Sequence, residues 1–201
     1  YFRFQSRLES PKWESNTLEA VKKYAPDLQR ISVERVWSEL KKMLVSRNVE
    51  ESLRYMGETG VAKAIQLPVD NAKSIKKLAK TDNPIVPLAV LVNDMSLADT
   101  WKMSNEETQL LRFLVQNKKN SLSKDGAIDL IHDGYSKEMV LHLINLQGKK
   151  ALDDVIRNYD APIFPVQGKD LLAKGMKPGV EVGNTLAQLK DKWKASGYKD
   201  R

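Results

Sequence analysis

One stretch decides the fold class of this chain: Ser32-Val33-Glu34-Arg35-Val36-Trp37-Ser38-Glu39-Leu40-Lys41-Lys42-Met43-Leu44. Its apolar residues recur at positions 33, 36, 37, 40 and 44, which is the spacing of one face of an α-helix. The serine at its start is a favoured N-cap residue, and its two lysines lie near the negative end of the helix dipole. The stretch therefore predicts a stable amphipathic helix.

The sequence on either side carries the same helical periodicity, and alternating strand patterns bounded by hairpin turns are absent. Ser104 and Glu107 form a capping-box pattern ahead of a periodic apolar segment, which predicts the start of another helix. Further helices are predicted at residues 17–25, 48–56, 87–92, 126–132, 136–147 and 149–158. We therefore predict an all-α fold.

An extended linker between Pro162 and Pro165 separates a multi-helix main part from a small C-terminal helical tail. The tail carries the pattern Gly168-x-x-Leu171-x-x-x-Gly175-x-x-Pro178-Gly179-x-x-x-Gly183 and then a basic helix. These glycines predict two helices on either side of a tight turn, because glycine adopts backbone conformations that other residues avoid. Pro178-Gly179 would begin the second helix with its N–H groups exposed.

The tail is also basic, since residues 165–201 hold eight lysines or arginines against four acidic residues, an excess of four in a net charge of +7. Helix N-termini and cations both attract phosphate, which gives a candidate set of RNA-binding residues. The set is Lys169, Lys174, Lys177, Gly179, Lys190 and Lys194. The alternative is that the glycines only permit a compact hairpin and the lysines only solvate it. Trp193 is similarly open to two interpretations, a core anchor or a platform for stacked bases.

Composition excludes several classes of chemistry. The chain has 201 residues and no cysteine, so it has no disulfide, thiolate zinc site or thiol nucleophile, which fits a reducing or organellar compartment. No apolar run approaches the roughly 20 residues that a membrane span needs. The first residue is Tyr1 rather than methionine, so we expect a piece of a longer protein.

A catalytic or metal site is not expected within this chain. No Asp-x-Asp pattern occurs, and Asp153 and Asp154 are adjacent, so on a helix they point about 100° apart and cannot clamp a metal ion together. His132 and His142 lack the i, i+4 spacing of a helical metal pair and are interpreted as structural. Phosphate-binding loops, dinucleotide fingerprints and nucleophile elbows are also absent.

Taken in order, these motifs resemble the C-terminal part of the class II tRNA nucleotidyltransferases, the CCA-adding enzymes. Tyr1-Phe2-Arg3-Phe4 with Arg7 resembles the stretch after the family's nucleotide-selecting motif, and residues 31–42 resemble its neck motif. The tail resembles the family's tail, and its ending Trp193-Lys194-x-Ser196-Gly197-Tyr198 is similar to the animal, mitochondrially targeted form.

The resemblance implies a neck-like helical region at residues 1–60, a helical body at 61–160 and a Gly/Lys-rich helical tail at 161–201. Glu34 and Arg35 would be neck residues that brace the nucleotide-binding helices, and the tail's lysines would contact the tRNA backbone. The full-length parent would use Mg²⁺, CTP and ATP, bound by a catalytic head domain of the same polypeptide that this sequence does not include. The expected location is mitochondrial, or also nuclear and cytoplasmic, and the expected assembly is a monomer or homodimer.

A second hypothesis is a non-catalytic α-helical scaffold or docking domain for a partner protein. The aromatic N-terminal residues Tyr1 to Phe4 would then be an exposed apolar surface on which the partner docks. Nucleotidyl transfer by this chain alone is not expected, since it offers no metal ligands.

Overall fold

The computed structural model describes residues 1–198, so Lys199, Asp200 and Arg201 of the predicted tail lie outside the described residues. The described part contains α-helices and short 3₁₀ helices and no strand, which confirms the all-α prediction. The α-helices are α1 (Phe2–Gln5), α2 (Ser15–Tyr24), α3 (Val33–Leu44), α4 (Val49–Glu58), α5 (Val61–Ala64), α6 (Ile85–Leu91), α7 (Ser96–Thr100), α8 (Asn105–Asn117), α9 (Lys124–His132), α10 (Lys137–Leu146), α11 (Asp153–Arg157), α12 (Gly168–Ala173) and α13 (Val180–Ala195). The 3₁₀ helices are Ala25–Arg30, Ala72–Lys77 and Lys150–Leu152.

Helix α3 is the amphipathic helix that the opening stretch predicts. It spans Val33–Leu44 and buries Trp37, Leu40, Met43 and Leu44. Ser32 occupies the N-cap position, but its side chain makes no capping hydrogen bond. The apolar face rather than the cap therefore sets the position of this helix.

The centre of the core is α6, whose residues are apolar around the whole helix. Six of them are buried: Ile85, Val86, Pro87, Leu88, Ala89 and Leu91. A helix that is hydrophobic all round needs partners on every side, and α6 packs against α3, α8 and α10. The predicted helix at 87–92 is thus confirmed as the element around which the larger helices assemble.

Glu107 joins α3 to α8. Its carboxylate accepts hydrogen bonds from Trp37 Nε1 at 3.1 Å and from Lys41 Nζ at 2.8 Å. The same carboxylate accepts from the Ser104 backbone N–H at 3.0 Å, which completes the predicted capping box of α8. Trp37 also stacks on Trp101, with ring centroids 5.4 Å apart. One side chain therefore caps a helix and holds a second helix against it.

The N-terminal residues pack back on α3 and α4. Arg3 pairs with Glu39 of α3. Asn48 occupies the N-cap position of α4, but its side chain makes no capping hydrogen bond and instead donates to the Leu8 carbonyl at 2.7 Å. The ring of Trp13 stacks on Tyr55, with centroids 4.5 Å apart. These contacts make the first residues part of the helical frame.

The tail helices α12 and α13 pack mainly on each other and follow residues 158–167, which contain no helix. The predicted linker lies in this segment. The main buried apolar cluster runs from Ala25 to Ile156 and includes no residue of α12 or α13. Within residues 1–198, no helix is long and apolar enough to cross a membrane.

We expect Glu107→Gln to lower the free energy of unfolding at pH 7 by about 1–3 kcal/mol, because three charge-assisted hydrogen bonds lose their ionised acceptor. Burial alone raises the pKa of Glu107, but the hydrogen bonds from Lys41, Ser104 and Trp37 outweigh it and the pKa is lowered. A carboxyl group whose pKa is lower in the folded than in the unfolded state stabilises the fold at pH values above its unfolded-state pKa. This stabilisation is lost as the pH falls through its folded-state pKa.

The difference in the free energy of unfolding between the unmodified chain and Glu107→Gln should therefore be largest at neutral pH and should shrink in acid. Urea unfolding at a series of pH values measures it. Exposed Glu106, in the same first turn of α8, is the matched control as Glu106→Gln. Equal losses in both variants, or a Glu107 effect independent of pH, would contradict the assigned joint.

Candidate nucleic-acid interface

The tail folds into a hairpin of α12 and α13 around a turn at residues 174–179, as predicted. Gly175 has φ 94°, and Gly179, the N-cap of α13, has φ 149° with ψ −165°. The second conformation is open essentially to glycine alone. Asp170 accepts a hydrogen bond from the Gln167 N–H at 2.7 Å and so holds the start of α12. Local sequence thus fixes both ends of the turn.

Lys174 and Lys177 lie in this turn, Lys169 lies at the start of α12, and all three are exposed. Within residues 1–198 none of them has an ionic partner. The first turn of α13 faces the same region with its backbone N–H groups, and Val180 at its start is 81% exposed. The turn therefore combines exposed cations with exposed helix N–H donors, an arrangement suited to a phosphate chain.

The other two predicted lysines lie on α13 and are less exposed than these three. Lys190 is half-buried. Lys194 donates to Asp133 Oδ1 at 2.5 Å, and its side chain is only 22% exposed. Lys194 therefore joins the tail to the body, a contact that the sequence did not indicate because its partner lies 61 residues away.

Trp193 is a core anchor. It is 6% exposed and lies against Phe164, His132 and Tyr198, with ring centroids 5.1 to 5.3 Å apart. A ring enclosed on three sides has no face for a stacked base. The base-stacking alternative for Trp193 is therefore wrong.

Glu34 and Arg35, the predicted neck residues, lie at the start of α3. Glu34 accepts a hydrogen bond from Lys102 Nζ at 2.7 Å, and this bond lowers the pKa of the carboxyl. Arg35 is exposed and, in the part of the chain that the structure describes, forms no ion pair. Both residues keep an accessible polar end at this edge of the helical frame.

An open cleft of about 1000 Å³ between α4 and the 3₁₀ helix Ala72–Lys77 was not predicted. Its lining includes Arg47, Arg54, Lys76 and Lys80. The first three pair with carboxylates, for instance Lys76 with Glu50 at 2.7 Å. The only sequence signal was scattered basic residues that the fold brings together from two separate elements, so no local motif could have revealed it.

The described residues do not fit a catalytic metal centre. No group of three or more metal-ligating side chains of histidine, cysteine, aspartate or glutamate occurs between residues 1 and 198. Asp153 pairs with Arg157 at 2.5 Å within one helix. His132 accepts or donates a 2.7 Å hydrogen bond with Tyr159 Oη, and His142 lies 3.2 Å from Asn83 Nδ2, which agrees with structural roles for both.

Residues 12–73 match a protein-family model described as a probable RNA and SrmB-binding site of polymerase A. The match covers α2 to α5 and includes much of the open cleft. It stops before the tail.

Three relatives span nearly the whole chain. The mitochondrial CCA tRNA nucleotidyltransferase 1 of Danio rerio is 34% identical over 98% of the chain, and that of Homo sapiens is 32% identical over 98%. A CCA-adding enzyme of Lactococcus lactis is 26% identical over 94%. The chain spans about half the length of these curated relatives, 51% for the two animal proteins and 52% for the bacterial one.

We expect Gly179→Ala to destabilise the tail hairpin by about 1–3 kcal/mol, because a Cβ is strained at this φ and ψ even though space around it is open. Gly183 is the matched control, since it lies within α13 with ordinary helical backbone and no neighbour within 4 Å of an added Cβ. Gly183→Ala should stabilise the helix by about 0.5–1 kcal/mol. Hydrogen exchange of α13 amides measures both, and equal protection in the two variants would contradict the assigned turn geometry.

Proposed function

The chain belongs to the family of CCA-adding tRNA nucleotidyltransferases, and we propose that it is the part of such an enzyme that holds tRNA. The RNA would be bound along its phosphate backbone by the turn of the tail hairpin and by residues 12–73, the segment that matches the RNA-binding family model. The observation that carries this proposal is a set of three exposed lysines of the tail hairpin, Lys169, Lys174 and Lys177, that have no ionic partner among residues 1–198.

Backbone contacts suit the task of a protein that must accept every tRNA. The major groove of an A-form duplex is too deep and narrow for side chains to reach the base edges. Contacts to phosphate position a protein without reading sequence. We propose that Lys190 adds to the same surface from α13, that Gly179 sets the direction of the α13 N-terminus, and that Lys194 contributes positive potential while bound to Asp133.

We propose that the complete enzyme binds the acceptor and T arm in this way while a head domain of the same polypeptide adds C, C and A from CTP and ATP with Mg²⁺. The described residues hold no suitable metal ligands, so no step of that transfer is assigned to them. Glu34 and Arg35 would brace the nucleotide-binding helices from the start of α3. Their accessible polar ends support this role.

We propose a mitochondrial location, since the animal relatives are named as mitochondrial enzymes. The nuclear or cytoplasmic alternative has no support from those names and is not part of the proposal.

A docking role for a partner protein remains a second candidate because of the N-terminal aromatic residues. Phe4 is 63% exposed and Tyr1 is 38% exposed. In the first proposal this surface would pack on the head domain, and in the second it would bind another protein or a second copy of the chain. Sedimentation of the chain with and without tRNA distinguishes the two roles. A chain that self-associates and does not bind RNA would favour the docking role. A monomer or homodimer that binds RNA would favour the tRNA-holding role.

Replacing Lys169, Lys174 and Lys177 together by alanine should weaken binding to unrelated tRNAs by the same factor. Each lost phosphate contact lowers the slope of log K against log [salt] by about 0.7–0.9, so we expect a slope smaller by about 2 to 3. The measurement is a titration of labelled tRNA at several salt concentrations.

The matched control is the triple alanine variant of Lys119, Lys124 and Lys137, three exposed lysines of the body without ionic partners in the described residues. It removes the same charge and should leave the slope near that of the unmodified chain. Equal slopes in the two variants would show that net charge rather than the tail turn governs binding. A flat salt dependence of the unmodified chain would contradict phosphate-led binding altogether.

A further inference from the structure

The tail cannot set its own orientation. Of the side chains in α12 and α13 only Leu171 and Trp193 are buried, and neither belongs to the main buried cluster. Two short helices with so little shared apolar surface form a marginal unit. The direction in which the tail presents its lysines must therefore come from contacts with the rest of the chain.

Those contacts are concentrated at the C-terminal end of α13 and the C-terminal end of α9. The ring of Tyr198 stacks on His132, with centroids 3.8 Å apart and planes 17° from parallel. Trp193 meets both rings edge-on at 5.1 Å. We refer to His132, Trp193 and Tyr198 as the aromatic latch.

Polar contacts surround the latch on both sides. Tyr198 Oη donates to Asp129, and His132 Nε2 shares a 2.7 Å hydrogen bond with Tyr159 Oη. Burial, together with the hydrogen bond to Asp129, raises the pKa of Tyr198, so its hydroxyl keeps the proton that it donates. The ion pair between Lys194 and Asp133 lies next to these rings in sequence. Each contact joins the tail, or the linker before it, to the end of α9.

The backbone at this point is arranged to bring Tyr198 back onto the body. Gly197 has φ 72° and Tyr198 has φ 62°, and the Tyr198 N–H donates to the Trp193 carbonyl at 3.0 Å. A positive φ is strained for a bulky non-glycine residue and persists only where its surroundings hold it. The stacking on His132 and the bond to Asp129 supply that hold.

We propose that the aromatic latch fixes the orientation of the tail on the body, so that His132 and Tyr198 are positioning residues for RNA binding although they contact no RNA. This inference rests on the proposed function. A latched tail presents Lys169, Lys174 and Lys177 in one direction before RNA arrives. A released tail must be ordered during binding, and that ordering reduces affinity without removing any phosphate contact.

The latch predicts a distinctive result for Tyr198→Ala. RNA affinity should fall about three- to tenfold while the slope of log K against log [salt] stays unchanged, because every lysine is still present. Lysine variants, in contrast, lower the slope. Tyr198→Phe keeps the stacked ring but loses the hydroxyl, so its loss should be smaller. Phe4→Ala is the matched control, since Phe4 is 63% exposed, lies outside both residues 12–73 and the tail, and should leave affinity unchanged.

A protease assay tests the latch without RNA. Chymotrypsin cleavage after Tyr159, in the segment before the tail, should be faster in Tyr198→Ala than in the unmodified chain, because the Tyr159 hydroxyl is hydrogen-bonded to His132 of the latch. The midpoint of thermal unfolding of the whole chain should change little, since no tail residue is a buried member of the main cluster and Tyr198 only packs against it from outside. Unchanged cleavage would overturn the latch even if RNA binding is lost.

Cross-linking completes the test. The chain has no cysteine, so Asp133→Cys and Lys194→Cys in the Tyr198→Ala background give a single pair of thiols across the tail and body. A short bis-maleimide joining them should restore most of the lost RNA affinity relative to the same protein capped with two separate maleimides. If the cross-link restores none of the lost RNA affinity, the positioning role of the latch is wrong. If the unmodified chain binds no tRNA, the proposed function fails, and the protease assay still reports whether the latch exists.

Discussion

The carboxylate of Glu107 is the contact on which the arrangement of the larger helices depends. It accepts from Trp37 and Lys41 of α3 and from the Ser104 backbone at the start of α8. Because α3 also carries the pair between Glu34 and Lys102, its direction is fixed at both ends. Behind it, α6 buries six of its seven residues. The helices before the linker therefore form one frame onto which the N-terminal residues and the tail attach.

The tail attaches to this frame through few contacts, and they differ in kind from those of the core. The core is held by apolar burial, whereas the tail is held by stacked rings, one tyrosine hydroxyl and one ion pair at the end of α9. The basic turn of the hairpin lies at the opposite end of α13, where Val180 is exposed. One helix thus separates attachment to the body from the basic turn proposed to meet RNA.

Local signals predicted much of this fold. The apolar spacing of α3, the capping box of Ser104 and Glu107, and the glycines of the tail turn were read correctly from neighbouring residues. The long-range contacts of Glu107, Asn48 and Lys194 were not predicted, because their partners lie 40 to 70 residues away in sequence. The cleft between α4 and residues 72–77 was missed for the same reason. Sequence patterns predict which helices form, whereas the surface that they share depends on how they pack.

The central claim is that RNA phosphates lie against the turn of the tail hairpin. Hydrogen exchange of the chain with and without tRNA tests it most directly, because the first-turn amides of α13 lack the usual i−4 acceptors, and among residues 180–183 only Val182 donates at the helix start, to the Gly179 carbonyl at 3.2 Å. We expect tRNA to slow exchange of the amides at residues 180–183 while leaving the buried amides of α6 unchanged. Bound tRNA that leaves the exchange at residues 180–183 unaltered would contradict the claim.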